Sequence, residues 1–175
     1  DGSAAAVLCS EKKAKELGLM GRAVKVRASA LTSDPYTSRN IAMMDFNAVT
    51  RLAAKTAYEM AGLGPDDVDL IELHDCFATA ELVHYENLGL CKDSEAGRLI
   101  DTGATELGGK IPVNVSGGLL SKGHPLGATG IANIYEVTTH LRGEAGNRQV
   151  NGARIGLTHV VGAGSACAVH ILEKA

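Results

Sequence analysis

The sequence predicts an α/β fold in which helices pack on a mostly parallel five-stranded sheet that ends in a hairpin. Three observations carry this. Apolar or alternating runs of strand length recur at 23–28, 68–73, 111–115, 153–161 and 165–172. Stretches with apolar residues at helical spacing separate the first four, and strand–helix alternation is the mark of parallel pairing. The last two runs are joined by Gly162-Ala163-Gly164, a connection suited to a hairpin. At 175 residues the chain is long enough for one substantial core.

In chain order, the small residues of 3–9 predict a strand. Ser10 suits the N-cap of a helix over Glu11 to Leu19, which Gly18 or Gly21 ends. Alternation from Ala23 to Ala28 predicts a strand, and Thr32-Ser33-Asp34-Pro35 a turn. Asp45 suits the cap of a helix whose Val49, Leu52, Ala53, Ala57 and Met60 share a face, closed by Gly62 and Gly64-Pro65. Val68–Leu73 reads as a buried strand and Ala78–Gly89 as a helix closed by glycine. Residues 91–110 predict a long polar loop. Ile111–Val115 predicts a short strand, and Ala128–Leu141 a helix ended near Gly143 and Gly146. No repeat or linker divides the chain, and the one boundary falls near residues 20–23.

Bulk properties narrow the function. Net charge is −3 and charged residues are 21%, which does not suit nucleic acid or an anionic membrane surface. With no Trp and 3% aromatics, stacking platforms for single strands are lacking. Cys9, Cys76, Cys91 and Cys167 form no C-x-x-C pair, so a reducing, cytoplasmic compartment is expected. No zinc-like spacing follows His74-x-Cys76, so no metal is expected, and no apolar run has the length of a membrane span.

Two segments carry chemistry. In Gly117-Gly118-Leu119-Leu120-Ser121-Lys122-Gly123-His124-Pro125-Leu126-Gly127-Ala128-Thr129-Gly130, an imidazole stands between a glycine and a proline just before a helix. Glycine permits close backbone approach and proline fixes the departing chain, an arrangement better for chemistry than for packing. In His74-Asp75-Cys76-Phe77, the histidine and the thiol sit where a strand hands over to a helix. Sites in open α/β sheets gather at strand carboxyl ends, and a helix N-terminus is expected to lower the Cys76 pKa. The plain alternatives are a surface turn for His124 and a buried packing cysteine for Cys76.

These motifs, with the hairpin from His159 to Ser165 and the stretch Leu141-Arg142-Gly143-Glu144-Ala145-Gly146, resemble the C-terminal half of a thiolase of the sterol carrier protein type. The resemblance implies a three-layer α-β-α half. Residues 1–21 would be the last strand and helix of an N-terminal half, and 22–175 the C-terminal domain. It implies an acyl-CoA thiolase carrying out Claisen condensation or thiolytic cleavage of 3-oxoacyl-CoA in lipid or sterol side-chain metabolism. By similarity His124 activates the nucleophile, His74 serves an oxyanion hole and Cys76 is the acid/base thiol. Gly162 would complete a second hole with its backbone N–H, while His159, Phe77 and Pro125 line the pocket. Coenzyme A enters as part of the substrate and no other cofactor is implied. The implied partners are acyl-CoA, coenzyme A, an N-terminal thiolase half and further copies in a dimer or tetramer.

The chain departs from the family's common pattern in two places. Val160-Val161-Gly162 stands where many thiolases carry Cys-x-Gly, which moves the acid/base role to Cys76. The nucleophilic cysteine belongs to the N-terminal half, and Cys9-Ser10 is no convincing substitute, so the chain alone is expected to be inactive. Three other readings remain. One is a non-catalytic acyl-CoA binding or assembly subunit, and another a retro-aldolase on steroid acyl-CoA. The third, a nucleotide-binding module, lacks both Gly-x-x-x-x-Gly-Lys-Ser/Thr and Gly-x-Gly-x-x-Gly. Glu173-Lys174-Ala175 is not a peroxisomal address, although a eukaryotic source would make the peroxisome the alternative to cytoplasm. His84 and His140 read as structural or surface residues, and His170 and Cys167 as packing.

Overall fold

A computed structural model describes residues 1–33, 46–162 and 166–175. Its helices are α1 (Glu11–Glu16), α2 (Phe46–Ala61), α3 (Ala78–Asn87), α4 (Ala96–Asp101), α5 (Gly118–Lys122) and α6 (Thr129–Arg142). Its strands are β1 (Val24–Ser33), β2 (Leu70–Glu72), β3 (Ile155–Gly162) and β4 (Ala166–Lys174). Ser10 caps α1 as expected, its hydroxyl accepting the Lys13 N–H at 3.2 Å. The expected Asp45 cap, residues 34–35 of the expected turn and the hairpin residues 163–165 lie outside the described residues.

Among the described residues the sheet has four strands in the order β1-β4-β3-β2, and it is mostly antiparallel. This corrects the mostly parallel five-stranded expectation. β4 runs antiparallel to both β1 and β3, and only β2 and β3 are parallel. Local alternation of strand and helix says nothing about β1, whose partner lies at the other end of the chain: Val24 pairs with Lys174 and Ser33 with Ala166. The expected fifth strand shrinks to one parallel bridge between Ile71 and Val113. Pro112 has no N–H to give a ladder. Asn114 turns out of the sheet at φ +50°, and its side chain takes the Leu73 N–H at 2.8 Å. Residues 3–9 form no strand either, because no neighbouring strand among the described residues offers partners for their backbone.

Helices cover both faces of this sheet. On one, Val49, Ala53 and Ala57 of α2 pack against Ala28 and Ala30 of β1 and Cys167, Val169 and Ile171 of β4. On the other, Val137 and Leu141 of α6 pack against Leu70 and Leu172. Cys167 is thus a packing residue. Gly156 makes the second contact possible, since a Cβ there would stand 2.4 Å from Val137 Cγ1. Two short helices fall where the sequence predicts only loop. α4 interrupts 91–110, and α5 occupies the glycine-rich segment ahead of His124.

Candidate active site

The two chemical segments converge because α6 packs over both β2 and its sheet neighbour β3. β2 ends at Glu72, and the chain continues through buried Leu73, His74 and Asp75 before Cys76 and the α3 N-cap Phe77. The turn between α5 and α6 brings His124, and the end of β3 brings Val160, Val161 and Gly162. His74, Cys76, Phe77, His124, Thr129 and Gly162 all line one cavity of about 980 Å³. Its remaining wall is largely apolar, with Val83 from α3, Ile131 and Ile134 from α6, Val160 from β3 and Ala168 from β4.

Hydrogen bonds fix the orientation of both imidazoles. Val161 N–H donates to His74 Nδ1 at 3.0 Å, so the neutral His74 ring carries its proton on Nε2. That Nε2 stands 3.2 Å from His124 Nε2, and the rings meet edge to face. Thr129 donates its hydroxyl proton to the Pro125 carbonyl at 3.1 Å, leaving its oxygen to accept from His124 Nδ1 at 2.8 Å. Neutral His124 therefore turns an unprotonated Nε2 toward the cavity. One ring presents a donor and the other a base at the same point. Burial, and then the proximity of His124, hold the His74 pKa below its usual value and favour the neutral His74 ring.

Cys76 departs from the expected electrostatics. Burial pushes its thiol above the usual range, outweighing the Cys76 and Phe77 backbone N–H groups that pull it down. The expected depression fails because Cys76 precedes the N-cap, half-buried in an apolar wall, rather than standing over the helix end. A protonated thiol is the resulting form.

The other sequence candidates separate. Gly162 lies on the wall, and a Cβ there would meet Ala166 only at ordinary contact distance, 3.7 Å. Phe77 is an exposed lip of the cavity. Pro125 points elsewhere, against the backbone of Gly2. His159 does not line the cavity. It is 0% exposed behind His74, accepting the His74 backbone N–H at 3.4 Å on Nδ1. His84, expected to be structural or at the surface, is buried with its ring 4.3 Å from that of His159 and reaches the cavity wall. The signal for it was present, since Cys76, Ala80 and His84 follow one another at helical spacing. His170 also reaches the wall, its Nδ1 3.0 Å from Ser29 Oγ. Among the described residues no group of three or more His, Cys, Asp or Glu side chains could hold a metal ion. No helix among them is long and apolar enough to cross a membrane.

Comparison with known proteins adds a second line. A family described as thiolase C-terminal domain-like matches residues 32–174. The chain is similar to sterol carrier protein 2 of Rattus norvegicus, 48% identical over 172 residues, 97% of this chain and 31% of the relative. It is similar to acetyl-CoA acetyltransferase of Methanothermobacter thermautotrophicus, 47% identical over 99% of this chain and 45% of the relative. Benzoylsuccinyl-CoA thiolase subunit BbsB of Thauera aromatica is 40% identical over 94% of this chain and 42% of its own. The chain thus spans about a third to under half the length of these relatives. A solved Ltp2-ChsH2(DUF35) aldolase superposes with a TM-score of 0.72 over 86% of this chain and 40% of that one; at 23% identity this likeness concerns the fold.

Proposed function

This chain belongs to the thiolase family, whose C-terminal domain it carries, and we propose that it supplies the acid–base and oxyanion side of a 3-oxoacyl-CoA thiolase site. The observation that supports this most is the meeting of His74 Nε2 and His124 Nε2, 3.2 Å apart, at a cavity that also holds Cys76. Residues 22–175 form the catalytic C-terminal domain, and residues 1–21 belong with an N-terminal half that provides the nucleophilic cysteine.

In thiolysis, His124 Nε2 takes the proton of that nucleophilic thiol. The thiolate adds to the 3-oxo carbon, and the C2–C3 bond breaks to leave an acyl-enzyme and an acetyl-CoA enolate. The His74 Nε2–H, with the now protonated His124, donates to the thioester oxygen on which negative charge gathers. The Cys76 thiol then protonates C2, a role its raised pKa suits, and acetyl-CoA leaves. Coenzyme A returns its thiol proton to the Cys76 thiolate and attacks the acyl-enzyme. The nucleophile departs and recovers its proton from His124. The Gly162 backbone N–H holds the oxyanion formed in the acyl-transfer steps. One well-placed oxyanion donor contributes roughly 3 kcal/mol, so two holes account for a large part of the acceleration. The large apolar wall suits an acyl group of lipid or sterol side-chain origin, and coenzyme A serves only as the substrate's carrier.

The test is reconstitution. The chain alone should not convert acetoacetyl-CoA plus coenzyme A, and acetyl-CoA release should appear when an N-terminal thiolase half is supplied. Turnover by the chain unaided, or no turnover by a verified complex, would overturn the proposal.

A further inference from the structure

We infer that Glu72 and Asp75 are positioning residues: two buried carboxylates, flanking His74 in sequence, clamp the turn over residues 116–123 and so keep His124 within reach of His74. The inference rests on the reading of those histidines as the working pair. Neither carboxylate faces the cavity wall, and the chemistry set out above uses neither of them.

Glu72 is 0% exposed, and among the described residues the hydrogen bonds to its carboxylate come from that turn. Ser116 donates its backbone N–H to Oε1 at 3.1 Å and its hydroxyl to Oε2 at 2.6 Å. Lys122 reaches Oε2 at 3.2 Å and Ser116 Oγ at 2.7 Å. A buried carboxylate without such partners is strongly unfavourable, so the turn cannot leave Glu72 without a large cost. Asp75, 2% exposed, accepts the Leu119 N–H on Oδ1 at 2.8 Å. Its other oxygen lies where a Gly118 Cβ would be, 2.0 Å away, and Gly118 has φ +63°, so both space and conformation demand glycine there. Residues 116, 119 and 122 are thus all tied to the strand end that carries His74, and His124 follows two residues after the last of them. The two imidazoles share one rigid support although fifty positions separate them.

A structural role and a positioning role differ in what His74 feels. Burial and then the neighbouring His124 lower the His74 pKa, and the Asp75 charge opposes them by raising it. Asp75→Asn removes the charge but keeps the acceptor for Leu119; Asp75→Ala removes both. Amide exchange over 116–123 and histidine C2-hydrogen exchange against pH, both read by mass spectrometry on this chain, measure the outcome. In Asp75→Asn, exchange of the turn should match the parent and the His74 midpoint should fall. In Asp75→Ala, turn exchange should rise about tenfold, the effect of losing one hydrogen bond to a charged acceptor. The His74 midpoint in Asp75→Ala should then lie above that in Asp75→Asn, because His124 has moved away. Identical exchange and identical midpoints in the two variants would overturn the inference. If Asp75→Ala does not fold, Lys122→Met takes its place. It should speed exchange at Ser116 and Leu119 where Lys122→Arg does not, and equal protection in that pair would overturn the clamp. Clamp behaviour as described in a reconstituted complex without turnover would support the positioning role while sinking the catalytic reading.

Discussion

Replacing Gly156 by alanine tests the packing that sets α6, and with it Thr129 and His124, against the sheet. The added methyl would stand 2.4 Å from Val137 Cγ1 and 3.1 Å from Leu70 Cδ2. Carbon atoms sit comfortably at about 3.5–4.0 Å, so the first contact is short by more than about 1 Å. Val137 is 0% exposed and β-branched on a helix, where one rotamer dominates, so it cannot swing aside. Overpacking of this kind costs about 1–3 kcal/mol, and the gain from a stiffer unfolded chain returns about 0.4–1 kcal/mol. A net loss of about 1–2 kcal/mol follows, seen as a fall of roughly 2–8 °C in Tm for a domain of this size. Urea and thermal unfolding of the single variants and of Gly156→Ala/Val137→Ala supply the assay. The double variant should recover at least about 1 kcal/mol relative to additivity. A Gly156→Ala loss under about 0.5 kcal/mol, or strict additivity, would refute the reasoning.

Three further outcomes are expected. In a reconstituted complex, Cys76→Ser should allow acyl-enzyme to accumulate while full turnover drops by about 10²–10⁴, the usual worth of a positioned acid/base; trapping the acyl-enzyme by mass spectrometry checks this, and undiminished turnover contradicts it. His124→Asn should slow iodoacetamide labelling of the nucleophile near neutral pH and depress both half-reactions, whereas unchanged labelling means that His124 is only a turn residue. Burial, and then the charge of His74, pull the His84 pKa from 6.5 down to about 4, so the folded state resists a proton that the unfolded state accepts. Stability is then full above pH 6.5 and declines as pH falls toward about 4. His84→Phe should flatten that slope in urea midpoints measured across the range, and an equal slope refutes the assignment.

The sequence made elements legible wherever one segment carried its own pattern. α2, α3, α6 and the strands around 70–72, 155–162 and 166–174 follow from local periodicity. Pairing direction did not, because it depends on partners far apart: β1 meets β4 across most of the chain length. The short α5 was hidden by its composition, since Gly117 and Gly118 argue for a turn while the Asp75 carboxylate supplies the missing cap from the connection between β2 and α3. Within the site, His74, Cys76 and His124 were legible as residue types on tight connections. The supporting groups were not, for Glu72 reads as an ordinary strand-end acid and Thr129 as an ordinary helix start. Their roles depend on what folding places opposite them. His159 was misplaced for the same reason, one alternation step being too coarse to tell a wall residue from one directly behind it.

The Thr129 bond has a consequence for where protons can travel. Its hydroxyl is committed to the Pro125 carbonyl, a group with no hydrogen of its own to pass on. The interior side of His124 is therefore a cul-de-sac. Any proton that lands on Nε2 has to go back out through the same opening. That opening leads to water, since His124 is exposed.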